Sequence, residues 1–114
     1  MKTKKSFNFS HMYDKFGNKS FTTIRGRSAF WNYSDSQDVD ILLRGGFIFK
    51  ARIYHKKQIK IKKIPLDILK ADAEYGELKI NSCADFIKLI NSFRRFHKLE
   101  SEEDFVTIFW LIKK

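Results

Sequence analysis

The segment Phe105–Ile112 carries large apolar side chains on both faces. Val106, Ile108, Trp110 and Ile112 point one way; Phe105, Thr107, Phe109 and Leu111 point the other. Alternate residues of a strand face opposite sides, so this one is buried above and below and sits inside a sheet. The rest of the chain must supply flanking strands and covering layers, and it carries the patterns to do so. Val39–Leu43 reads as a strand. Gly45-Gly46 then supplies the positive φ that a tight hairpin needs, and a return strand starts at Phe47. Phe47, Phe49, Ala51 and Ile53 fall on one face of that strand, with Ile48, Lys50, Arg52 and Tyr54 on the other. A basic break at His55–Lys57 is expected before a second alternating stretch, Gln58–Lys62.

Further upstream, Phe7 and Phe9 alternate with Ser6 and Asn8, which predicts a short strand over residues 4–9. Ser10 is placed to cap a short helix through Phe16, stopped by Gly17-Asn18 as residues that tolerate the left-handed conformation. Ser20–Arg25 is β-branched and aromatic, a second strand. Residues 26–38 read as a polar loop carrying Phe30, Trp31 and Tyr33. Pro65 stands at the first position of a short amphipathic helix. Ser82 and Asp85 form a capping box for a second, in which Phe86, Leu89, Ile90 and Phe93 share one face. The expected fold is α+β: one domain over 1–114, a small, mostly antiparallel β-barrel decorated by two or three short helices.

Charge is the next constraint. The 114 residues hold 23 Lys and Arg against 13 Asp and Glu, a net charge of +10. Arg44, Lys50, Arg52, Lys56, Lys57, Lys60, Lys62 and Lys63 all fall in a stretch, Ile41–Leu66, without one acid. Such a block repels itself unless a polyanion relieves it, so it reads as a phosphate-binding strip. The structural alternative is a lysine-rich sheet edge that resists strand-to-strand association. Arg94 and Arg95 extend the basic surface, although with His97 and Lys98 they also suit a helix C-terminus. Arg25 and Arg27 flank the aromatic loop, where cations that hold phosphates sit beside rings that can stack bases. Trp31 is the candidate stacking residue, with plugging of one barrel end as the alternative role for these rings.

Other function classes find little support. A single cysteine, Cys83, excludes an intramolecular disulfide and reads as a packing residue. His11, His55 and His97 lie at unrelated spacings, so neither a metal nor any other cofactor is expected. The longest apolar run is Ile108–Ile112, far short of a membrane span, and no apolar stretch follows the basic residues 1–5 as a secretory signal requires. A cytoplasmic location is expected. There is no Gly-rich phosphate loop and no Ser-His-Asp order.

Phe7–Ser10, the short helix, and Gly17-Asn-Lys19-Ser-Phe-Thr22-Thr23-Ile-Arg25 together resemble the opening of the ASCH domains of the PUA-like superfamily. Those domains begin with a strand, a helix and a Gly-x-Lys-x-x-Thr-x-Arg stretch, and the later hairpin, helices and closing strand fit the same plan. Arg25 lies six residues after Lys19, where the family spacing is five, so both Thr22 and Thr23 remain candidates for the motif threonine. The resemblance implies a small barrel that binds RNA or other nucleic acid in a cleft between barrel and helices. One branch of the family hydrolyses N4-acylated cytidines with a Lys, a Thr and a Glu. The corresponding residues here are Lys19, Thr22 and Glu74, or Asp72 in place of Glu74.

The resulting expectation is a binding module rather than an enzyme, with RNA preferred over DNA as partner. Lys19, Thr23, Arg25, Arg27, Trp31, Lys50, Arg52, Lys56, Lys57, Lys60, Lys62, Arg94 and Arg95 are the expected contact residues. The runner-up is an enzyme of the same fold, an amidohydrolase of acylated cytidines or a nuclease. A protein-interaction module docking an acidic partner is the third class.

Overall fold

A computed structural model describes residues 5–9, 11–93 and 99–114. Five strands, β1 (Ser6–Phe9), β2 (Ser20–Gly26), β3 (Asp38–Leu43), β4 (Gly46–Lys60) and β5 (Phe105–Lys113), form one sheet in the order β1-β3-β4-β5-β2. Three of the pairings are antiparallel. The β1–β3 pairing is parallel, so the sheet is mixed. It curls into a half-barrel, an α+β fold with short helices α1 (Ala29–Asn32), α2 (Leu66–Ala73) and α3 (Cys83–Phe93). As its two apolar faces require, β5 is internal, hydrogen-bonded to β4 on one side and β2 on the other.

Both faces of β5 are used. Phe109 and Leu111 point into the concave side, where they meet Phe7, Phe9, Phe16, Phe21, Ile41 and Ile53. Val106 and Ile108 point outward under α2 and α3, against Leu69, Ala73, Ile80 and Phe86. Phe86 is fully buried; removing a phenylalanine side chain of that kind from water stabilises the fold by about 1.5–3 kcal/mol. The Ser82 hydroxyl accepts from the Asp85 N–H at 3.1 Å, the first half of the expected capping box, while the Asp85 carboxylate reaches past Ser82 to the Asn81 N–H at 3.0 Å.

Several local expectations need correction. The first helix is only a 3-10 turn, Asp14–Gly17, and Asn18 (φ −95°) is extended rather than left-handed. The expected cap, Ser10, and residue 4 lie outside the described residues. The loop 26–38 contains α1. Pro65 is the N-cap of α2 instead of its first residue. The hairpin turns one residue earlier than Gly45-Gly46: Arg44 (φ 47°) and Gly45 (φ 85°) are its left-handed pair, and Gly46 already pairs with Leu43.

The largest difference is β4, which continues through His55–Lys57 without a break. β3 pairs only with its first half, up to Arg52, but β5 pairs with it as far as Lys60. The second half therefore has one neighbour and an open edge, where polar side chains meet water and the backbone ladder persists. A bulge between Ile53 and His55 reverses which residues face inward. Lys50, Arg52 and Lys57 consequently lie on the outer face, and Lys56 and Lys60 on the inner one.

Candidate functional site

The order of the sheet leaves β1 and β2 as its edges, and they face each other across an open seam that no backbone ladder closes. Side chains bridge it. Arg25 of β2 donates from Nη2 to the Asn8 carbonyl of β1 at 3.2 Å and from Nε to Thr23 Oγ1 at 3.1 Å. Its guanidinium lies over the rings of Phe7 (4.9 Å) and Phe9 (4.7 Å). Tyr33, stacked on Phe7 at 4.3 Å, donates its hydroxyl to the Ser6 carbonyl at 2.7 Å. Burial pushes the Tyr33 phenol up, against the pull of Arg25.

At the seam opens a cavity of about 380 Å³. Asn8 and Phe9 of β1 and Thr23, Ile24 and Arg25 of β2 form its sides, and Tyr13 and Lys15 come from the 3-10 turn and its approach. Asp72 and Ala73 of α2, Ile90 of α3 and Arg44 at the hairpin tip complete it. Its size falls in the range of small-ligand pockets, with an apolar wall and a few convergent polar groups.

Lys15 and Asp72 are the unusual members. The Lys15 ammonium lies 3.1 Å from Asp72 Oδ1, and the two side chains are 3% and 6% exposed. Thr22, on the outer face of β2, donates its hydroxyl to the same carboxylate oxygen at 3.0 Å. The rings of Phe9 and Tyr13 lie 5.0 and 5.1 Å from the ammonium. Burial lowers the Lys15 pKa below the ordinary lysine value of 10.5, the Asp72 charge and hydrogen bond oppose that, and Arg25 adds to the depression. The cluster can therefore hold or move a proton, or simply tie the 3-10 turn to α2.

The structure brings some of the expected residues here and leaves others elsewhere. Thr23 and Arg25 line the cavity; Thr22 opens instead onto a second cleft of about 240 Å³ beside Tyr54, Ile68 and Trp110. Lys19 is exposed and lines neither space; its carbonyl accepts from the Lys113 N–H at 2.8 Å. Glu74 accepts from the Ile80 N–H (2.8 Å) and Lys70 (2.9 Å), contacts that hold its carboxyl below the usual range and fix the turn after α2. Of the two acids named from the sequence, Asp72 is the one at the cavity. Arg27 is exposed, and its carbonyl accepts from Gln58 and Thr107. Trp31 is 75% exposed at α1, in edge contact with Phe30, while Tyr33 is the ring that fills the barrel end.

The basic strip is not one continuous surface. Glu103 pairs with both Lys60 (3.3 Å) and Lys62 and is held below the usual carboxylate range by them. Arg52 pairs with Asp38 at 2.8 Å. Lys56 is a clamp for α1: it donates to the Phe30 and Tyr33 carbonyls at 2.6 and 2.8 Å and covers the Phe30 ring. Lys50 and Lys57 remain exposed. Arg94 and Arg95, with His97 and Lys98, lie outside the described residues. Among the described residues no three His, Cys, Asp or Glu side chains gather as metal ligands would, and no helix is long and apolar enough to cross a membrane. Cys83 packs beside the outer core, its thiol pushed up by burial and Glu102.

Sequence reading missed Lys15, Asn8 and Arg44 as cavity residues. A signal existed for the carboxylate: Leu69, Asp72 and Ala73 share one face of α2, so an acid sits on an otherwise apolar stripe and needs a buried partner. For Lys15 the only hint is its place between the aromatic Tyr13 and Phe16.

The half-barrel and its seam cavity define a small α+β domain with a basic pocket between its edge strands. The chain belongs to one family with the uncharacterized protein MJ0364 of Methanocaldococcus jannaschii, to which it is 37% identical over 99 residues, 84% of this chain and 87% of that protein. No protein-family model matches the chain. No solved structure matches it either.

Proposed function

We propose that this domain is a nucleic-acid-binding module of the ASCH/PUA-like kind, working in the cytoplasm, with RNA preferred over DNA. The observation that carries the reading is the seam cavity, which combines the cations Lys15, Arg25 and Arg44 with the rings of Phe9 and Tyr13 and one buried carboxylate. A nucleotide offers the matching chemistry: a flat apolar base, a polar edge, and a phosphate outside. Exposed Trp31, Lys50 and Lys57 are available to the rest of a strand.

The test compares single-stranded RNA, duplex RNA and DNA at two salt concentrations. Each phosphate that is no longer neutralised should reduce the log–log salt slope by about 0.7–0.9. Replacing Lys50 and Lys57 with Ser removes exposed charges without touching the α1 clamp or the Glu103 pairs, so it should flatten the slope and leave the melting temperature in place. An unchanged slope and affinity would reduce the basic residues to a solubility device.

The Lys15–Asp72–Thr22 contacts favour a second reading, hydrolysis of an acylated cytidine, with Lys15 beside the threonine where the family resemblance pointed to Lys19. In this reading a water oxygen bonds to the acyl carbon as the bond to N4 breaks, and the Lys15–Asp72 pair passes the water's proton to the departing N4 of cytidine. Thr22 opens away from the seam cavity, which weighs toward binding. Release of cytidine from N4-acetylcytidine that vanishes in Lys15→Ala would establish the enzyme.

A further inference from the structure

The tip of the β3–β4 hairpin is built against the preference of its own residue. Arg44 has φ 47°, in the left-handed region. Paired with Gly45 at φ 85°, it occupies the first central position of a turn in which Asn, Asp and Gly are the favoured residues. A long cationic side chain gains nothing from that backbone. Two hydrogen bonds hold the turn in place regardless: the Arg44 N–H donates to the Phe9 carbonyl at 2.8 Å and the Gly45 N–H to Asn8 Oδ1 at 2.9 Å. The hairpin tip is thereby pinned to the end of β1, at the rim of the seam cavity, which the Arg44 side chain lines.

The charges around it are unequal. Lys15 and Asp72 offset each other on the cavity floor. Arg25 commits Nε and one Nη to Thr23 and Asn8. No described residue accepts a hydrogen bond from the Arg44 guanidinium or pairs with it, so its planar fork of donors faces the rim uncommitted. Strained backbone conformations persist where the surroundings over-determine them, and they cluster at ligand clamps.

We propose that Arg44 is the phosphate anchor of the seam cavity, gripping the phosphate of a ligand whose body lies between β1 and β2. This deepens the nucleic-acid reading and rests on it only for what carries the phosphate. A guanidinium fork matches phosphate oxygens in paired hydrogen bonds, and the Arg25 charge across the cavity favours the same anion.

The test uses Arg44→Asn, which suits the left-handed turn and removes the guanidinium. Wild type and variant are melted in inorganic phosphate and in acetate at equal ionic strength. Both are then titrated with uridine, uridine 5′-monophosphate and a single-stranded oligoribonucleotide. The expected result is a variant at least as heat-stable as wild type without ligand. A phosphate-specific rise in melting temperature should appear in wild type and vanish in the variant. Affinity for the phosphorylated ligand should fall at least tenfold in the variant, with uridine unaffected. Weakening on the monophosphate identifies a terminal phosphate; weakening on the oligonucleotide alone identifies an internal phosphodiester. If no RNA or nucleotide binds but the Arg44-dependent phosphate effect remains, the nucleic-acid reading falls and the anion site stands. If RNA binds the variant as tightly as wild type, or acetate acts as phosphate does, the anchor is overturned. Wild type that responds to neither phosphate nor oligonucleotide overturns it as well.

Discussion

Replacing Lys15 with Met should be among the most damaging single changes in this domain. The substitution preserves length and apolar bulk, so the rings of Phe9 and Tyr13 keep a packing partner. It strands the Asp72 carboxylate, 6% exposed, with Thr22 as its remaining hydrogen-bond donor. Breaking a buried pair in this way costs about 3–5 kcal/mol. At roughly 2.1 cal/mol/K per residue, unfolding a chain of this length carries an entropy near 0.24 kcal/mol/K, so the melting temperature should drop by about 12–20 °C. The pair itself is a different matter, because its charges already bear the cost of leaving water. Lys15→Met with Asp72→Leu should recover most of the stability, and a double-mutant cycle should give a coupling of at least about 2 kcal/mol. Thermal and urea melts of the four proteins measure this directly. A destabilisation below about 1 kcal/mol for Lys15→Met alone would refute the reasoning, since it would mean that Asp72 finds water or another cation. The pH dependence adds a sign. With its folded pKa lowered from 10.5 by burial, Lys15 binds its proton less readily in the folded chain than in the unfolded one. Stability relative to the double variant should therefore rise with pH between the depressed value and 10.5.

Asp38, bridging Arg52 and Lys114 through hydrogen bonds of 2.8 and 2.6 Å, titrates at about 2 instead of 3.8. Its contribution is complete above pH 3.8 and is lost as pH falls through 2; NMR titration should show the midpoint moving back up in Arg52→Gln and in high salt. Tyr33→Ala should cost about 2 kcal/mol by removing the Phe7 stack, less than the roughly 3–5 of a fully buried aromatic, while Trp31→Ala should stay within about 0.5. Equal losses in the two melts would show that Trp31 also plugs the barrel.

The sheet was legible where periodicity and turn chemistry agree: β5 as an inner strand, the β3–β4 hairpin, and α3 with its Ser82–Asp85 cap. It was illegible where tertiary pairing overrides local pattern. His55–Lys57 reads as a break because nothing local reveals that β5 runs alongside it to Lys60. The hairpin slips by one residue because Arg44 takes a conformation its side chain disfavours, and a Gly-Gly pair next door advertises the wrong centre. Charge blocks mislead for a related reason. An acid-free run in the chain is not acid-free in space once Glu103 and Asp38 fold against it. The site was half visible: Thr23 and Arg25 follow from strand alternation, but Lys15 is indistinguishable from a surface lysine until Asp72 arrives from 57 residues away.

The position of β5 in the sheet also has a temporal meaning. β2 has β5 as its sole strand neighbour, with Gly26 opposite Val106 and Ser20 opposite Ile112, separations of 80 and 92 residues. At roughly 5–20 residues per second of synthesis, β2 waits about 4–18 s for the segment that satisfies its backbone. The β1–β3–β4 part can assemble meanwhile, since its members lie close in the chain. Nascent β2 is thus an orphan, with Phe21 and Ile24 bare, and the sheet is completed only when β5 joins the edge of β4 and gives β2 its ladder. Folding of that kind is slow and favours a guardian on the emerging chain over spontaneous speed.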